Sequence, residues 1–143
     1  MTTILIFDSR FSISAMTESE LKRRTKDFAL RILKLIDSLP ESRSGRILAN
    51  QLGRSAKSVG ANYRAVCRSR SAAEMISKLA VVEEEADESA YWLELIGDHG
   101  LLPVQKVEAR HQEAGELTAI MVASRKTLAR NQKSRIQNQK SAA

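Results

Sequence analysis

A chain of 143 residues is the size of one domain and long enough to bury a real core. Its 23 Lys and Arg exceed its 17 Asp and Glu, for a formal net charge of +6. The single cysteine, Cys67, excludes an intramolecular disulfide framework and fits a reducing cytoplasm, and no apolar run approaches the roughly 18 residues of a membrane span.

Aromatic residues are scarce and only two prolines and six glycines occur, a composition that suits helices better than sheets. The opening stretch MTTILIFDSRFSISAM is short and apolar, with no basic residues ahead of its apolar part, so a secretory signal is not expected. Residues 1–16 are expected to form a flexible or loosely packed leader. Thr17-x-x-Glu20 is a capping box that starts a first helix. Leu21, Phe28, Ile32, Leu35 and Leu39 then recur at three- and four-residue steps, with Ala29, Leu33 and Ile36 widening the stripe. Pro40 ends that helix, because proline disfavours helical geometry in the residue before it.

A second helix begins near Arg43. Its expected buried face is Leu48, Leu52, Ser55, Val59, Asn62 and Val66, flanked by Ala56 and Tyr63. Gly60 interrupts it at about 1 kcal/mol against alanine, which close helix packing explains. Cys67 falls within the same pattern and is read as structural rather than nucleophilic. Ser71-x-x-Glu74 restarts the chain as helix three, with Met75, Leu79, Val82, Ala86, Ser89, Leu93 and Ile96 on one face. Gly97 and Gly100 surround its end, and Pro103 suits the first turn of helix four. That helix uses Val107, His111, Ala114, Leu117, Met121 and Leu128, then fades into a polar segment, NQKSRIQNQKSAA. The expected fold is all-α: an antiparallel up-down four-helix bundle over 17–131, with helices at about 18–39, 43–69, 72–98 and 103–131. Residues 132–143 are expected to be a disordered basic tail.

Helix three carries five carboxylates in six positions, Glu83, Glu84, Glu85, Asp87 and Glu88. A di-metal site in a bundle needs two Glu-x-x-His pairs. The chain has one, Glu108-x-x-His111, and its only other histidine, His99, falls in a turn. At 100° per residue Glu84, Asp87, Glu88 and Asp98 lie opposite the core stripe. No metal, cofactor or catalytic site is therefore expected, and His111 is read as a core or boundary residue. No phosphate-binding glycine loop, zinc motif or nucleophilic triad is recognisable.

Charge is unevenly spread. Residues 41–70 hold seven Lys and Arg against one acid, whereas residues 71–98 hold one Lys against eight acids. On helix two, Arg43, Arg46, Arg54, Lys57, Arg64 and Arg68 fall within a wedge of about 80°. Such a row can track a phosphate backbone with salt-dependent affinity, and the basic segment from Arg125 to Lys140 would add a mobile arm. With few aromatic residues to stack on bases, such binding would be directed at the backbone. Alternatively, the row is merely solvated or meets the acidic face of helix three, within a subunit or across an interface. Ile76, Tyr91, Trp92 and Leu95 lie outside the core stripe, which makes helix three a candidate subunit contact.

The segments RTKDFALRILKLIDSLP and NQLGRSAKSVGANYRAVCRSRSAAEMISKLAVVEEEADESAYWLELIGDHGLL resemble the bacterial four-helix-bundle family that includes proteins encoded in intervening sequences of large-subunit ribosomal RNA genes. The resemblance spans roughly residues 24–128 and is most specific from Gln51 to Leu102. It implies a ring-like homo-oligomer, a pentamer, and no established enzymatic activity. The family in turn resembles the basic accessory protein of diversity-generating retroelements, which associates with a reverse transcriptase and nucleic acid. No feature of this chain supports carrying over that enzyme as a partner. Within the matching motif, Ser71 is assigned to capping and Asn62 to buried or interfacial hydrogen bonding. Arg54 and Arg64 are the leading candidates for contacting a partner. Three functions remain in competition: a non-catalytic oligomer that binds RNA or DNA, an adaptor whose oligomeric surface binds another protein, and a metalloenzyme built on Glu108, His111 and helix-three acids.

Overall fold

The computed structural model describes residues 3–8 and 11–142. Two short strands, β1 (Thr3–Asp8) and β2 (Phe11–Thr17), pair antiparallel, with Thr3 opposite Thr17 and an irregularity between Ile6 and Asp8. Four helices follow: α1 (Glu18–Asp37), α2 (Arg43–Cys67), α3 (Ala72–Asp98) and α4 (Val104–Ala142). The segment expected to be a loose leader thus carries a hairpin. The segment expected to be disordered beyond residue 131 continues α4. No glycine or proline follows Gly115, so no local signal stops that helix.

The helix starts are written in the side chains. Thr17 caps α1 by accepting from the Glu20 N–H at 3.2 Å, and the Glu20 carboxylate accepts the Thr17 N–H at 2.8 Å. Ser42 caps α2 by accepting from the Gly45 N–H. Ser71 caps α3 by accepting from the Glu74 N–H, but the Glu74 carboxylate reaches one residue further back, to the Arg70 N–H at 3.0 Å. The α3–α4 turn is a Schellman closure: the Leu101 N–H bonds the Ile96 carbonyl, the Gly100 N–H bonds the Gly97 carbonyl, and Gly100 takes φ +77°, a conformation that favours glycine.

Each helix packs on the next, α1 on α2, α2 on α3 and α3 on α4. The thinner α1–α4 seam is bridged by Arg31–Glu113 at 2.7 Å and by Arg24–Glu116. The core is one cluster centred on Leu21, Phe28, Ile32, Leu52, Tyr63, Leu79, Leu93, Ile96, Leu117 and Met121. A fully buried side chain of this size contributes about 1.5–3 kcal/mol. The faces read from the sequence on α2 and α3 supply half of these residues. Asn62 is only half-buried, however, and donates to the Ser58 carbonyl of its own helix. On α1, Leu33 is 46% exposed rather than part of the core face, and Thr25 is buried in the stripe, its hydroxyl bonded to the Leu21 carbonyl. On α4, His111 is a boundary residue and Leu128 leans on the core from outside.

The glycines of α2 make opposite demands. A Cβ on Gly60 would sit 3.5 Å from the Thr25 backbone of α1, an ordinary contact. A Cβ on Gly45 would meet the Pro40 carbonyl oxygen at 2.5 Å, a backbone atom that cannot swing away. In chemical denaturation, Gly60→Ala is expected to be neutral or to stabilise by up to about 1 kcal/mol. Gly45→Ala, in contrast, is expected to destabilise by about 1–3 kcal/mol.

Near the end of α2, Tyr63 is buried and its hydroxyl has no hydrogen-bond partner among the described residues. Burial raises its pKa first, and the neighbouring Cys67 adds to the shift. The half-buried Cys67 thiol is likewise pushed up, by burial first and then by the charge of Glu18. A raised thiol pKa means less thiolate at any given pH. Alkylation of Cys67 at pH 8 is therefore expected to be slower in the native protein than in denaturant, with a titration midpoint above that of a free cysteine. Equal rates in the two states would contradict this burial.

Candidate functional site

The outer face of α2 is fixed by its inner one. With Leu48, Leu52, Ser55, Val59, Tyr63 and Val66 turned to the core, residues about half a turn away must face solvent. Arg43, Arg46, Arg54, Lys57, Arg64 and Arg68 are all exposed there, along roughly 37 Å of helix at 1.5 Å per residue. The structure therefore brings all six sequence candidates onto one face.

They are not equivalent. Arg54 lies at the α3 edge of the wedge and donates through Nη2 to Glu88 Oε1 at 2.6 Å, with Glu85 at 3.4 Å from Nη1. The Glu88 hydrogen bond, then the charge of Glu85, holds the Arg54 guanidinium above its ordinary pKa. The other five cations have no ion pair among the described residues. Arg46, Lys57 and Arg64 lie towards the α1 side of the wedge, where Gly53 meets Ile36 and Gly60 meets Thr25.

Apart from Glu74, which pairs with Lys78 of its own helix at 2.8 Å, the carboxylates of α3 divide three ways. Glu85 and Glu88 face α2 and take Arg54. Glu83 faces α4 and accepts from Arg125 Nε at 2.9 Å, and Glu94 faces His111 of α4 at 2.9 Å. Glu84, Asp87 and Asp98 point outward, exposed and without an ion pair among the described residues. Among those residues no three His, Cys, Asp or Glu side chains are grouped so as to hold a metal ion. His111 is engaged by Glu94, while its expected partner Glu108 is exposed.

The four interface candidates behave differently from one another. Tyr91 is 52% exposed. Trp92 and Leu95 are half-buried and lean against the core, so they are not free side chains, and Ile76 is also half-buried. Trp92 donates its indole N–H to Glu88 Oε1 at 3.2 Å, joining Arg54, Glu88 and Trp92 into one chain. Its ring lies 5.2 Å from that of Tyr91 at 43°. The sequence reading passed over Ile47, which is 63% exposed. The Ser55–Ser89 and Ser44–His99 contacts set the antiparallel register that brings Ile47 level with Ile96 and Gly97. As a large aliphatic residue next to a polar arc, Ile47 was detectable from the same projection. No helix among the described residues is long and apolar enough to cross a membrane.

Comparison with known proteins gives the same fold. A crystal structure of a protein with unknown function from the S23 ribosomal protein family of Bacteroides thetaiotaomicron matches with a TM-score of 0.72 and 29% identity, covering 78% of this chain and 99% of that one. No curated protein matches the chain. The sequence model described as 23S rRNA-intervening sequence protein matches residues 17–123, from the α1 cap into α4, and the chain belongs to that family.

Proposed function

We propose that this protein is a non-catalytic, cytoplasmic homo-oligomer that binds the phosphate backbone of RNA or DNA through the outer face of α2. The observation that carries the reading is the set of cations left over on that face. Arg43, Arg46, Lys57, Arg64 and Arg68 stand exposed with no ion pair among the described residues, beside an α3 whose inward-facing acids already have partners. A linear array of unpaired cations exchanges condensed counterions for protein charge when it lies along phosphates. Assembly is supported by exposed Ile47 and by exposed Tyr91, whose ring lies against Trp92 of the Arg54–Glu88–Trp92 chain, and the five-subunit ring follows the family resemblance. The same exposed apolar pair favours a second reading, an adaptor that binds another protein and has no nucleic-acid role.

Arg54 is unsuited to a test because its loss would also disturb the α2–α3 seam. The variant with Arg46→Gln, Lys57→Gln and Arg64→Gln removes three unpaired cations while keeping helix-forming side chains. Its affinity for generic single-stranded and duplex nucleic acid is expected to fall. The slope of log affinity against log salt should shrink by about two to three, at ~0.7–0.9 per lost phosphate contact. Equal binding by both proteins would reject the α2 face as the site.

Light scattering tests assembly separately. The wild type is expected to run at a multiple of its 15.9 kDa subunit mass, and Tyr91→Glu to shift the population towards single subunits. A wild-type protein of one subunit mass would remove the oligomer from the proposal and leave the α2 reading to stand alone.

A further inference from the structure

The second half of α4 is not explained by the bundle. The family match ends at residue 123, yet α4 continues to Ala142. The register fixed by Glu94–His111 and Glu83–Arg125 brings the first residue of α3, Ala72, level with about residue 134 of α4. The last two turns therefore have no helix beside them, although α4 does touch β1, and from Ala129 to Ala142 every residue except the half-buried Gln132 is exposed.

This extension has a one-signed surface that is polar but for Ile136, which is 47% exposed. No carboxylate follows Glu116 in the sequence. Lys126, Arg130, Lys133 and Lys140, with Gln137 between the last two, recur at steps of four, three, four and three, and so share one face about 21 Å long. None of these cations has an ion pair among the described residues. Like charges three and four residues apart oppose an isolated helix, and exposed polar residues give it little to pack against. A row of phosphates removes that repulsion. Arg135 lies on the opposite side, where it lines a shallow groove with Asn131, Ser134 and Asn138.

We propose that residues 126–140 of α4 form a second nucleic-acid site, distinct from the α2 face, which lies along the major groove of duplex DNA. The shape argument is direct. A single helix about 10–12 Å across fits the B-form major groove, about 12 Å wide, whereas the A-form groove of duplex RNA is too narrow to admit it. Lys126, Arg130, Lys133 and Lys140 meet the phosphates, and Gln137, on the same face, reaches a base edge.

The test titrates the full-length protein with a DNA duplex and with an RNA duplex of the same sequence, across a salt series. Compared with wild type, the variant carrying K126Q, R130Q, K133Q and K140Q is expected to bind the DNA duplex at least tenfold more weakly at about 100 mM salt. Its salt slope should be smaller by about three to four. Circular dichroism confirms that α4 is retained, glutamine being a good helix former. R135Q should bind as wild type does, and the RNA duplex should bind the wild type more weakly than DNA. Undiminished DNA binding by the quadruple variant, an R135Q loss as large as that of R130Q, or equal affinity for the two duplexes would each overturn the site. The α2 variant measured alongside separates the two proposals. Loss there alone leaves the α2 reading and sinks this one, loss in the α4 variant alone does the reverse, and loss in neither rejects both.

Discussion

The arrangement depends on how α2 and α3 are held in register. Ser55 and Ser89 share a hydrogen bond of 2.8 Å inside the core, and one residue earlier on each helix Arg54 grips Glu88 at 2.6 Å. The two pairs have nearly the same number sum, 142 and 144, as antiparallel neighbours on one seam require. Apolar packing tolerates a slide along the helix axis better than a buried hydroxyl pair does. Ser89 donates to the Glu85 carbonyl of its own helix at 2.9 Å and so accepts from Ser55, which after a shift could turn to the Leu52 carbonyl at 3.3 Å, so a shift would cost the cross-helix bond rather than strand the hydroxyls completely. Losing such a bond costs about 1 kcal/mol, enough to prefer one register when the apolar term is nearly flat.

That register decides which charges cancel. Arg54 falls within reach of Glu85 and Glu88 because it sits at the α3 edge of the cationic wedge, whereas Lys57 and Arg64, on the far side, cannot reach them. The acid run of α3 is therefore mostly seam material. Two of its members hold α2, Glu83 holds α4, and only Glu84 and Asp87 are left to solvent. Sequence proximity among these carboxylates has little bearing on a common task, since 100° per residue sends consecutive acids to different neighbours. The protein keeps a surplus of cations on α2 because the positions that could have neutralised them face elsewhere.

Much of this was legible in the sequence, and the failures have physical causes. The caps at Thr17 and Ser71 and the stripes of α2 and α3 were readable because capping chemistry and 3.6-residue periodicity are local. Periodicity gives a face but not a neighbour, so the splitting of the acids between Arg54 and Arg125 could not be derived. Leu33 was misplaced because α1 carries apolar residues around more than half its circumference, and only packing chooses among them. Segment 3–17 was too short, and its apolar and polar residues too mixed, to be separated from a loose leader. The α4 extension was missed because it combines a polar composition, which argues for disorder, with good helix formers and no stop signal.

If the protein both binds phosphate and assembles, as proposed, the geometry would keep the two from conflicting. An interface centred on Tyr91 and Ile47 would cover the outer face of α3 and its α2 edge and bring the outward acids Glu84 and Asp87 close to the neighbouring copy. Had all six α2 cations lain on that side, assembly and nucleic acid would compete for the same charges. Arg46, Lys57 and Arg64 instead face the α1 side, about 60–80° around the helix from Arg54. A head-to-tail ring closed through the seam would leave those three outside the contact in every subunit. Each would then add the same short row of positive charge around the assembly, and repetition would give a backbone-binding surface more reach than one α2 face can provide.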